Sequence, residues 1–294
     1  MKFTYNWLLE HLDTDKTCDE IVEKLSMIGL EVEGVENRAA GLETFKVAEI
    51  LEAEKHPDAD KLKCLKVFDG EKEYQVVCGA PNARKGLKGV FATSGSYIPG
   101  LDVTLKPTQI RGVDSEGMMM SEREMLLSDE HNGIVDLPAD TKVGAYVVDV
   151  MGLNDPIIEI AITPNRGDCA GVRGIARDLA ATGFGTLKPL NKDKVLASFK
   201  SPISVTIDNP AEGTPIASQF AGRYIRGVKN AESPKWLKDK LLAVGLRPIS
   251  ALVDITNLFS QDLCRPLHVF DADKLNGDIV VRLAKDGETL LALD

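Results

Sequence analysis

The middle of the sequence, from about residue 39 to residue 150, restricts the fold more than any other part. It consists of short apolar runs separated by turns rich in Gly, Pro, Asn and Asp. Five or so short strands with turn signals about every 8–12 residues are typical of a small antiparallel barrel or sandwich. The predicted strands are Phe45–Leu51, Cys64–Phe68, Tyr74–Cys78, Gly89–Ser94 and Gly144–Val150.

The segments on either side of this region predict helices as well as strands. Thr17 and Glu20 have the spacing of a capping box, apolar residues follow at helical spacing, and Gly29 suits the end of that helix. After residue 152, a strand is predicted at Ile157–Ile162. A helix follows it, with one face formed by Val172, Ile175, Ala176, Leu179 and Ala180. We therefore predict an α+β domain split into residues 1–38 and 152–190, with a β domain, residues 39–151, inserted into it.

The last third of the sequence predicts a further α/β region, residues 200–294, after a linker at Asn191–Lys200 that is poor in apolar residues. Strands are predicted at Ile203–Ile207 and Phe220–Gly227. Ser233 and Pro234 suit the N-cap and first position of a helix that ends near Gly245, and a second helix is predicted to start at Ser250. The final run, LLALD, has the pattern of an unfinished strand, so we expect a piece of a longer protein.

Composition excludes several classes of protein. A length of 294 residues corresponds to roughly two or three domains. No apolar run approaches the ~18 residues that a membrane span needs, and acidic residues occur too early for a secretory signal. Five cysteines without a CxxC pair argue against a disulfide framework and against a zinc site. A reduced, cytoplasmic protein without membrane contact is expected.

The charge distribution leaves two interpretations open. A net charge of −10 argues against a dedicated nucleic-acid binder, because phosphate contacts are made by Lys and Arg. Between residues 78 and 112, however, five basic residues face one acid, a net charge of +4, whereas residues 113–140 carry a net charge of −7. This pattern fits both an electropositive strip on an acidic body and ordinary solvated faces.

The segment His56-Pro-Asp-Ala-Asp60 suggests a metal or acid–base site, but its context disfavours one. Pro57 stiffens the segment, and no second cluster of His or Cys follows at the spacing of metal ligands. We predict a polar turn that leads into a strand, with Asp58 or Asp60 forming local side-chain-to-backbone hydrogen bonds.

Four motifs in the β region carry a family resemblance when they are taken in order: HPDADKLKCLKVFDG, YQVVCGAPNARKG, GVFATSGSYIPG and IRGVDSEGMMMSERE. The series resembles the tRNA-binding OB-fold domain of bacterial phenylalanyl-tRNA synthetase β subunits, methionyl-tRNA synthetase tails and free-standing tRNA-binding proteins. Such a barrel presents one face and its loops to RNA. Phosphate contact would then fall to Lys61, Lys63, Arg84, Lys85, Lys88 and Arg111, although each of these is also compatible with a solvated surface position.

The flanking segments resemble the phenylalanyl-tRNA synthetase β subunit alone. TYNWLLEHLD, LSMIGLEVEGVE and IEIAITPNRGDCAGVRGIARDLAATG match its split N-terminal domain. GLRPISALVDITNLFSQDLCRPLHVFDADKL resembles the first part of its B3/B4-type editing domain, which hydrolyses tyrosine mischarged on tRNA(Phe). This resemblance places Arg247, Thr256, Asn257, Pro266 and His268 in the editing pocket, whose remaining residues would lie beyond Asp294. Without the resemblance, a lone histidine in RPLHVFD would be taken as structural.

The resemblance also implies a parent enzyme, phenylalanine–tRNA ligase, that charges tRNA(Phe) with phenylalanine using ATP and Mg²⁺. The expected assembly is an (αβ)₂ heterotetramer with the α subunit. No Gly-rich phosphate loop occurs in this sequence, so no cofactor and no aminoacylation activity are expected from these residues alone. Two other functions remain open: a stand-alone tRNA-binding module, and a non-catalytic scaffold for subunit assembly. Arg166, Arg173 and Arg177 suit either RNA or partner contact, or ion pairs with nearby acids.

Overall fold

The computed structural model describes residues 1–210, 212–215 and 217–291. Its helices in these ranges are α1 Tyr5–His11, α2 Cys18–Met27, α3 Val147–Val150, α4 Val172–Ala181, α5 Lys235–Ala243 and α6 Ala251–Leu263. Its strands are β1 Lys2–Thr4, β2 Leu12–Asp13, β3 Val32–Glu36, β4 Lys46–His56, β5 Ala59–Phe68, β6 Glu73–Cys78, β7 Lys88–Thr93, β8 Tyr97–Ile98, β9 Val103–Thr104, β10 Thr108–Ile110, β11 Val113–Ser115, β12 Gly117–Met119, β13 Ile157–Ile160, β14 Thr186–Leu187, β15 Val205–Asp208 and β16 Ile279–Arg282. No described helix is both long enough and apolar enough to cross a membrane.

The chain divides into two compact units, of which the first comprises Met1–Leu9 and Lys16–Ala161. A three-stranded antiparallel sheet in the order β1-β13-β3 brings together segments from the two ends of this unit. Helix α2 begins with the predicted capping box, in which the Thr17 side chain accepts from the Glu20 N–H and Glu20 accepts from the Thr17 N–H. Its Ile21 and Leu25 are buried, as the apolar spacing predicts.

The predicted barrel is present between β3 and β13. Five strands form one antiparallel sheet in the order β12-β7-β4-β5-β6. The two edges of this sheet approach each other, because the Glu116 N–H donates to the Gln75 carbonyl at 2.9 Å and the Val77 N–H donates to the Ser115 hydroxyl at 3.1 Å. The result is a nearly closed, OB-like barrel, which removes most of the free strand edge.

Two apolar clusters lie on opposite faces of β4 and β7. Successive strand residues point to opposite faces, so Val47 and Val90 enter one cluster and Ala48 and Phe91 enter the other. The barrel interior contains Ala48, Ile50, Leu65, Val67, Tyr74, Val76, Cys78, Ala83, Leu87, Phe91, Met119 and Ile134. The outer cluster contains Ala39, Leu42, Phe45, Val47, Val90, Ala92, Ile98, Met120, Met125, Val147, Val148 and Leu153. Both faces are therefore buried in β7 and in the first half of β4, whereas the second half of β4 and the other barrel strands offer an outward face to solvent.

The strand predicted at Gly144–Val150 is wrong in its second half, which forms helix α3. The first half forms an antiparallel bridge from Tyr146 to Lys46, but the Val150 N–H donates to the Tyr146 carbonyl, as in a helix. Val147 and Val148 are buried side by side in the outer cluster. A short continuous apolar run is compatible with either element, so packing rather than periodicity decides this segment.

The second unit comprises Glu10–Asp15 and the described part of residues 162–294. Strands β2 and β14 pair antiparallel, and α4 buries Val172, Ile175, Ala176 and Leu179, as its apolar face predicts. Strands β15 and β16 pair in parallel. The predicted division into domains 1–38 with 152–190, 39–151 and 200–294 stays a prediction.

Other predictions for the second unit have mixed outcomes. Helix α6 begins after Ser250 as expected, whereas α5 has Pro234, not Ser233, as its N-cap residue. The strand predicted at Ile203–Ile207 is found at Val205–Asp208, and the one predicted at Phe220–Gly227 is wrong, because that stretch has no strand pairing. The first two residues of LLALD are not in a strand, and its last three lie outside the described residues.

Candidate nucleic-acid interface

The His56 side chain connects the β4–β5 turn with the β10–β11 turn. His56 is the last residue of β4 and only 4% exposed. Its Nδ1 accepts from the Asp58 N–H at 3.1 Å, and its Nε2 lies 3.0 Å from the carbonyl oxygen of Ile110, which precedes the β10–β11 turn. The polar turn leading into a strand is therefore confirmed, since β5 starts at Ala59. The local side-chain bond, however, is made by the histidine and by neither aspartate among the described contacts.

The six basic residues predicted to contact phosphate differ in the hydrogen bonds and ion pairs that their side chains already form. Two are partly buried and donate to main-chain carbonyls: Lys63 to Ala83 at 2.5 Å, and Lys88 to Thr141 at 2.7 Å. Arg84 is exposed and paired with Asp136 at 2.8 Å. The remaining three, which are exposed and have no carboxylate partner among the described residues, are Lys61 in β5, Lys85 between β6 and β7, and Arg111 between β10 and β11.

Contacts divide these side chains into two places on the barrel. Arg111 donates from Nη1 to the Asp58 carbonyl at 3.2 Å, which brings it to the β4–β5 turn at the start of the strand that carries Lys61. Lys63 reaches the carbonyl of Ala83, so it lies beside the loop that carries Lys85. One candidate contact area is thus the joined tips of two hairpins, and the other is the β6–β7 loop.

The outward face of β5 and β6, which continues onto the second half of β4 and is termed the β5–β6 face, has the opposite electrostatic character. Leu65 and Val76 point into the barrel, so their strand neighbours point outward. A surface depression on this face is lined by Glu52, Glu54, Cys64, Leu65, Lys66, Glu73, Tyr74, Gln75 and Val113. Its one lysine, Lys66, is paired with Glu73 at 2.8 Å. A phosphate chain would be repelled here by uncompensated carboxylates.

Arg166 and Arg177 are held in an ion-pair network, which supports the alternative to RNA contact. Arg166 donates to Asp168 at 3.0 Å and also to Asp178, and Arg177 pairs with both aspartates. Burial alone would raise the pKa of Asp178, but hydrogen bonds from the two arginines outweigh it and lower the pKa. Arg173, by contrast, donates to the Lys188 carbonyl at 3.0 Å.

The same network is unsuited to Mg²⁺. Among the described residues, one group of possible ligands clusters closely, namely Asp168, Cys169 and Asp178. Burial, followed by the charge of Asp178, raises the pKa of the Cys169 thiol to about 12, so that thiol stays protonated at neutral pH. The two carboxylates are already neutralised by Arg166 and Arg177. Because Mg²⁺ prefers free carboxylate oxygens and water, these residues do not fit it.

The five predicted editing residues lie on α6 and on the segments before and after it. Thr256 and Asn257 are partly buried on α6, and the Thr256 hydroxyl donates to the Val253 carbonyl at 2.6 Å. Arg247, in the α5–α6 loop, and Pro266 and His268, which follow α6, are exposed. No hydrogen bond or ion pair connects the five with one another in the described part of the chain.

Two family descriptions match the chain. Residues 45–146 match the "Putative tRNA binding domain" family, and residues 216–294 match the "B3/4 domain" family. The whole chain is 59% identical over 295 residues to the phenylalanine–tRNA ligase β subunit of Brucella abortus, and 58% identical over 294 residues to that of Paramagnetospirillum magneticum. The chain belongs to the phenylalanine–tRNA ligase β subunit family.

The alignments cover 100% of this chain but only 36% and 37% of those two relatives, so the chain spans little more than a third of a curated β subunit. They confirm the resemblance drawn from the sequence motifs, and the two family matches confirm the fold class, an OB-like barrel with a B3/4 segment. Among solved structures, the MetRS related protein from Pyrococcus horikoshii is 29% identical over 35% of this chain and 87% of that one. Its TM-score of 0.27 is too low to show a shared fold.

Sequence reasoning missed the link between the β4–β5 turn and the β10–β11 turn. One signal for it was present in the sequence: Arg111 is followed by Gly112 between two short extended runs, a pattern that fits a tight hairpin. The hydrogen bonds of His56 across the barrel loops had no sequence signal, because they depend on tertiary contact.

Proposed function

We propose that this chain serves a phenylalanine–tRNA ligase by holding tRNA on its barrel and by contributing residues to the hydrolysis of mischarged tRNA. One observation carries the proposal: a tRNA-binding family match and a B3/4 family match occur in one chain that aligns along its whole length with curated β subunits. The barrel and the B3/4 segment are then two contact sites for a single RNA.

The barrel would contact the tRNA backbone through exposed basic side chains that have no carboxylate partner among the described residues. Lys61, Lys85 and Arg111 are available without breaking an internal bond to a carboxylate. Arg84 would have to leave Asp136, but an ion pair this exposed is worth only about 0–1 kcal/mol. Lys63 and Lys88 instead support the loops that present the others, because their ammonium groups are bonded to main-chain carbonyls.

A salt series of tRNA binding tests this role of the barrel. Three phosphate contacts predict that the logarithm of the binding constant falls with the logarithm of salt concentration with a slope of roughly −2 to −3. Lys85→Gln should reduce that slope by about one and weaken binding at all tRNA sequences alike. Lys142→Gln is the matched control, since Lys142 is an exposed lysine of the same barrel outside the candidate set. An unchanged slope in Lys85→Gln would remove that residue from the interface.

The editing role follows from the difference between phenylalanine and tyrosine. An apolar pocket rejects an added hydroxyl only imperfectly, so a second, hydrolytic site is useful after charging. Ester hydrolysis requires a positioned water and stabilisation of the oxyanion. We assign His268 and Asn257 to orienting substrate or water, Arg247 to the phosphates of the CCA end, and Pro266 to the pocket wall.

Thr256 has a narrower role. Its hydroxyl hydrogen is directed to the Val253 carbonyl, so the oxygen lone pairs are what it offers to a ligand. It would therefore accept a hydrogen bond from the terminal ribose or from the amino group of the esterified amino acid.

Deacylation of Tyr-tRNA(Phe) tests the editing role in a ligase whose β subunit contains this chain. His268→Ala should slow hydrolysis by about ten-fold or more, the range found for groups that position reactants. His131→Ala serves as the control, because His131 is an exposed histidine of the barrel. Equal hydrolysis by both variants would exclude His268 from the pocket.

The parent activity also belongs to this proposal. The assembled enzyme would charge tRNA(Phe) in the cytoplasm with ATP and Mg²⁺, as an (αβ)₂ heterotetramer with the α subunit. Nucleotide and metal would be held outside this chain, since the cluster of Asp168, Cys169 and Asp178 does not fit Mg²⁺ and the sequence has no Gly-rich phosphate loop.

The carboxylates on the β5–β6 face favour one competing function, an inert barrel on a scaffold for subunit assembly. The same salt series separates the two. Absence of tRNA binding at low salt would support the scaffold, whereas binding by this chain without any effect on editing in the full enzyme would support a stand-alone tRNA-binding module.

A further inference from the structure

The two contacts of the His56 imidazole favour one tautomer of the ring. Nδ1 accepts a hydrogen bond from the Asp58 N–H, so Nδ1 carries no proton. Nε2 faces the Ile110 carbonyl oxygen, which can only accept, so Nε2 carries the proton. The side chain is 4% exposed and bonded to the backbones of two different loops.

The Arg111 backbone adds a second, independent observation. Arg111 and Gly112 both have positive φ, 49° and 82°, and they connect Ile110 and Val113, which are paired across β10 and β11. This is a two-residue hairpin turn with a left-handed first position, where Asn, Asp or Gly is usual. An arginine there is strained, and strained residues that the surroundings hold in place cluster at ligand contacts.

The surroundings that hold Arg111 are the residues bound to His56. Its guanidinium donates to the Asp58 carbonyl at 3.2 Å, while its neighbour Ile110 accepts from the His56 ring. The turn residue Asp58 is thus bonded at its N–H by the histidine and at its carbonyl by the arginine. Movement of the ring would release both the backbone and the side chain of the Arg111 turn.

The two loops are those that OB barrels use for oligonucleotides. In barrel order they connect the first strand to the second and the fourth to the fifth, and both loop positions bind nucleic acid in this fold. The adjoining β5–β6 face bears Glu52 and Glu54, which repel a phosphate chain, whereas its Glu73 is paired with Lys66. Phosphate contact is therefore favoured at the loop tips and disfavoured on the face.

We infer that His56 is a positioning residue for RNA binding: it joins the β4–β5 and β10–β11 turns and thereby fixes Arg111 as a phosphate contact. The inference rests on the proposed tRNA-binding function of the barrel. His56 itself touches no nucleotide in this arrangement, because its ring is enclosed between the two loops.

A double-mutant cycle on the full chain, with a tRNA transcript as the probe, tests the inference. Arg111→Gln should weaken binding about five- to ten-fold and reduce the salt slope by about one. His56→Asn should give a loss of similar size, because Asn retains the bond to the Asp58 N–H but is too short to reach Ile110. The double variant should bind no more than two-fold more weakly than Arg111→Gln, since residues that act through one contact are not additive.

The outcomes separate this inference from the proposed function. If the unchanged chain fails to bind tRNA at low salt, both the proposed function of the barrel and the inference fall. If the unchanged chain binds, but the losses of the two single variants multiply in the double variant, or His56→Asn binds normally, the inference alone is overturned. Lys142→Gln is again the control.

A measurement on the unchanged chain covers the case in which His56→Asn does not fold. Nitrogen resonances of the imidazole should report the proton at Nε2, and tRNA should slow hydrogen exchange of the Asp58 amide. A ring protonated at Nδ1, or an exchange rate that tRNA does not alter, would overturn the inference.

Discussion

Asp69 organises the turn between β5 and β6, and its removal should measurably weaken the barrel. The side chain is 2% exposed. Its Oδ1 accepts from the Glu71 and Lys72 N–H groups, each at 2.9 Å, and its Oδ2 accepts from the Tyr74 hydroxyl at 3.1 Å. Burial alone would raise the pKa of Asp69, but these hydrogen bonds outweigh burial and lower it. Burial and the bond to Asp69 raise the pKa of Tyr74 to about 12.

The size of this loss of stability depends on which hydrogen-bonding groups the substitution leaves without partners. Asp69→Ala leaves the buried Tyr74 hydroxyl unpaired, which costs about 1–3 kcal/mol, and removes two charge-assisted bonds whose donors can turn to water. We expect the barrel to lose about 3 kcal/mol of opening free energy. Asp69→Asn keeps an oxygen for the two N–H groups, so we expect this variant to lose only about 1 kcal/mol of opening free energy. Glu71→Gln, at an exposed position, should change the value by less than about 0.5 kcal/mol.

Hydrogen exchange of the amides in β5 and β6 measures the opening free energy of the barrel alone. Because the pKa of Asp69 is lower in the folded than in the unfolded chain, its stabilisation is present above the unfolded pKa of about 3.9 and lost as the pH falls through the folded value. The difference between the unchanged chain and Asp69→Asn should therefore shrink below about pH 4. An equal difference at pH 7 and pH 3, or a loss below 1 kcal/mol in Asp69→Ala, would refute the reasoning.

Three further substitutions, two of them with a comparison variant, address other parts of the fold. Thr17→Ala removes the capping box of α2 and should cost about 1 kcal/mol in thermal unfolding, with Thr17→Ser restoring most of it. Gly117→Ala would place a Cβ 2.5 Å from a ring carbon of the neighbouring strand and should cost about 2 kcal/mol or more by hydrogen exchange, whereas Gly34→Ala meets no atom within 4 Å and should be tolerated. Arg166→Met removes a hydrogen bond that lowers the pKa of Asp178, so a carboxyl titration should show that pKa rising; an unmoved pKa would contradict the network.

The barrel was predictable because short apolar runs of strand length follow one another in a region punctuated by turns. Leu65 and Val67 alternate with outward residues, and the order of short strands leaves few topologies. Closure was not predictable, since the bond between Glu116 and Gln75 joins residues that no local pattern relates. For the same reason the valines of α3 were assigned to a strand: only their packing in the outer cluster distinguishes helix from strand.

The candidate site was predictable in residue type but not in availability. The sequence alone suggests all six basic side chains of the barrel equally as phosphate contacts. In the structure, however, Lys63 and Lys88 donate to main-chain carbonyls, and Arg84 has a carboxylate partner. Tertiary structure also reassigns His56, from a doubtful metal ligand to a link between loops. The editing residues rest on motif resemblance, because neither spacing nor burial singles out His268.

The pairing of β3 with β13 has a consequence for how this chain tolerates change. Glu36, the last residue of β3, and Ile157, the first residue of β13, are partners across the sheet. The chain leaves the sheet and returns to it at two directly paired residues. A two-residue Asn-Gly turn could therefore connect Glu36 to Ile157 without shifting the register. The three-stranded sheet can therefore accept a shorter or different insertion between β3 and β13 without a change of strand register.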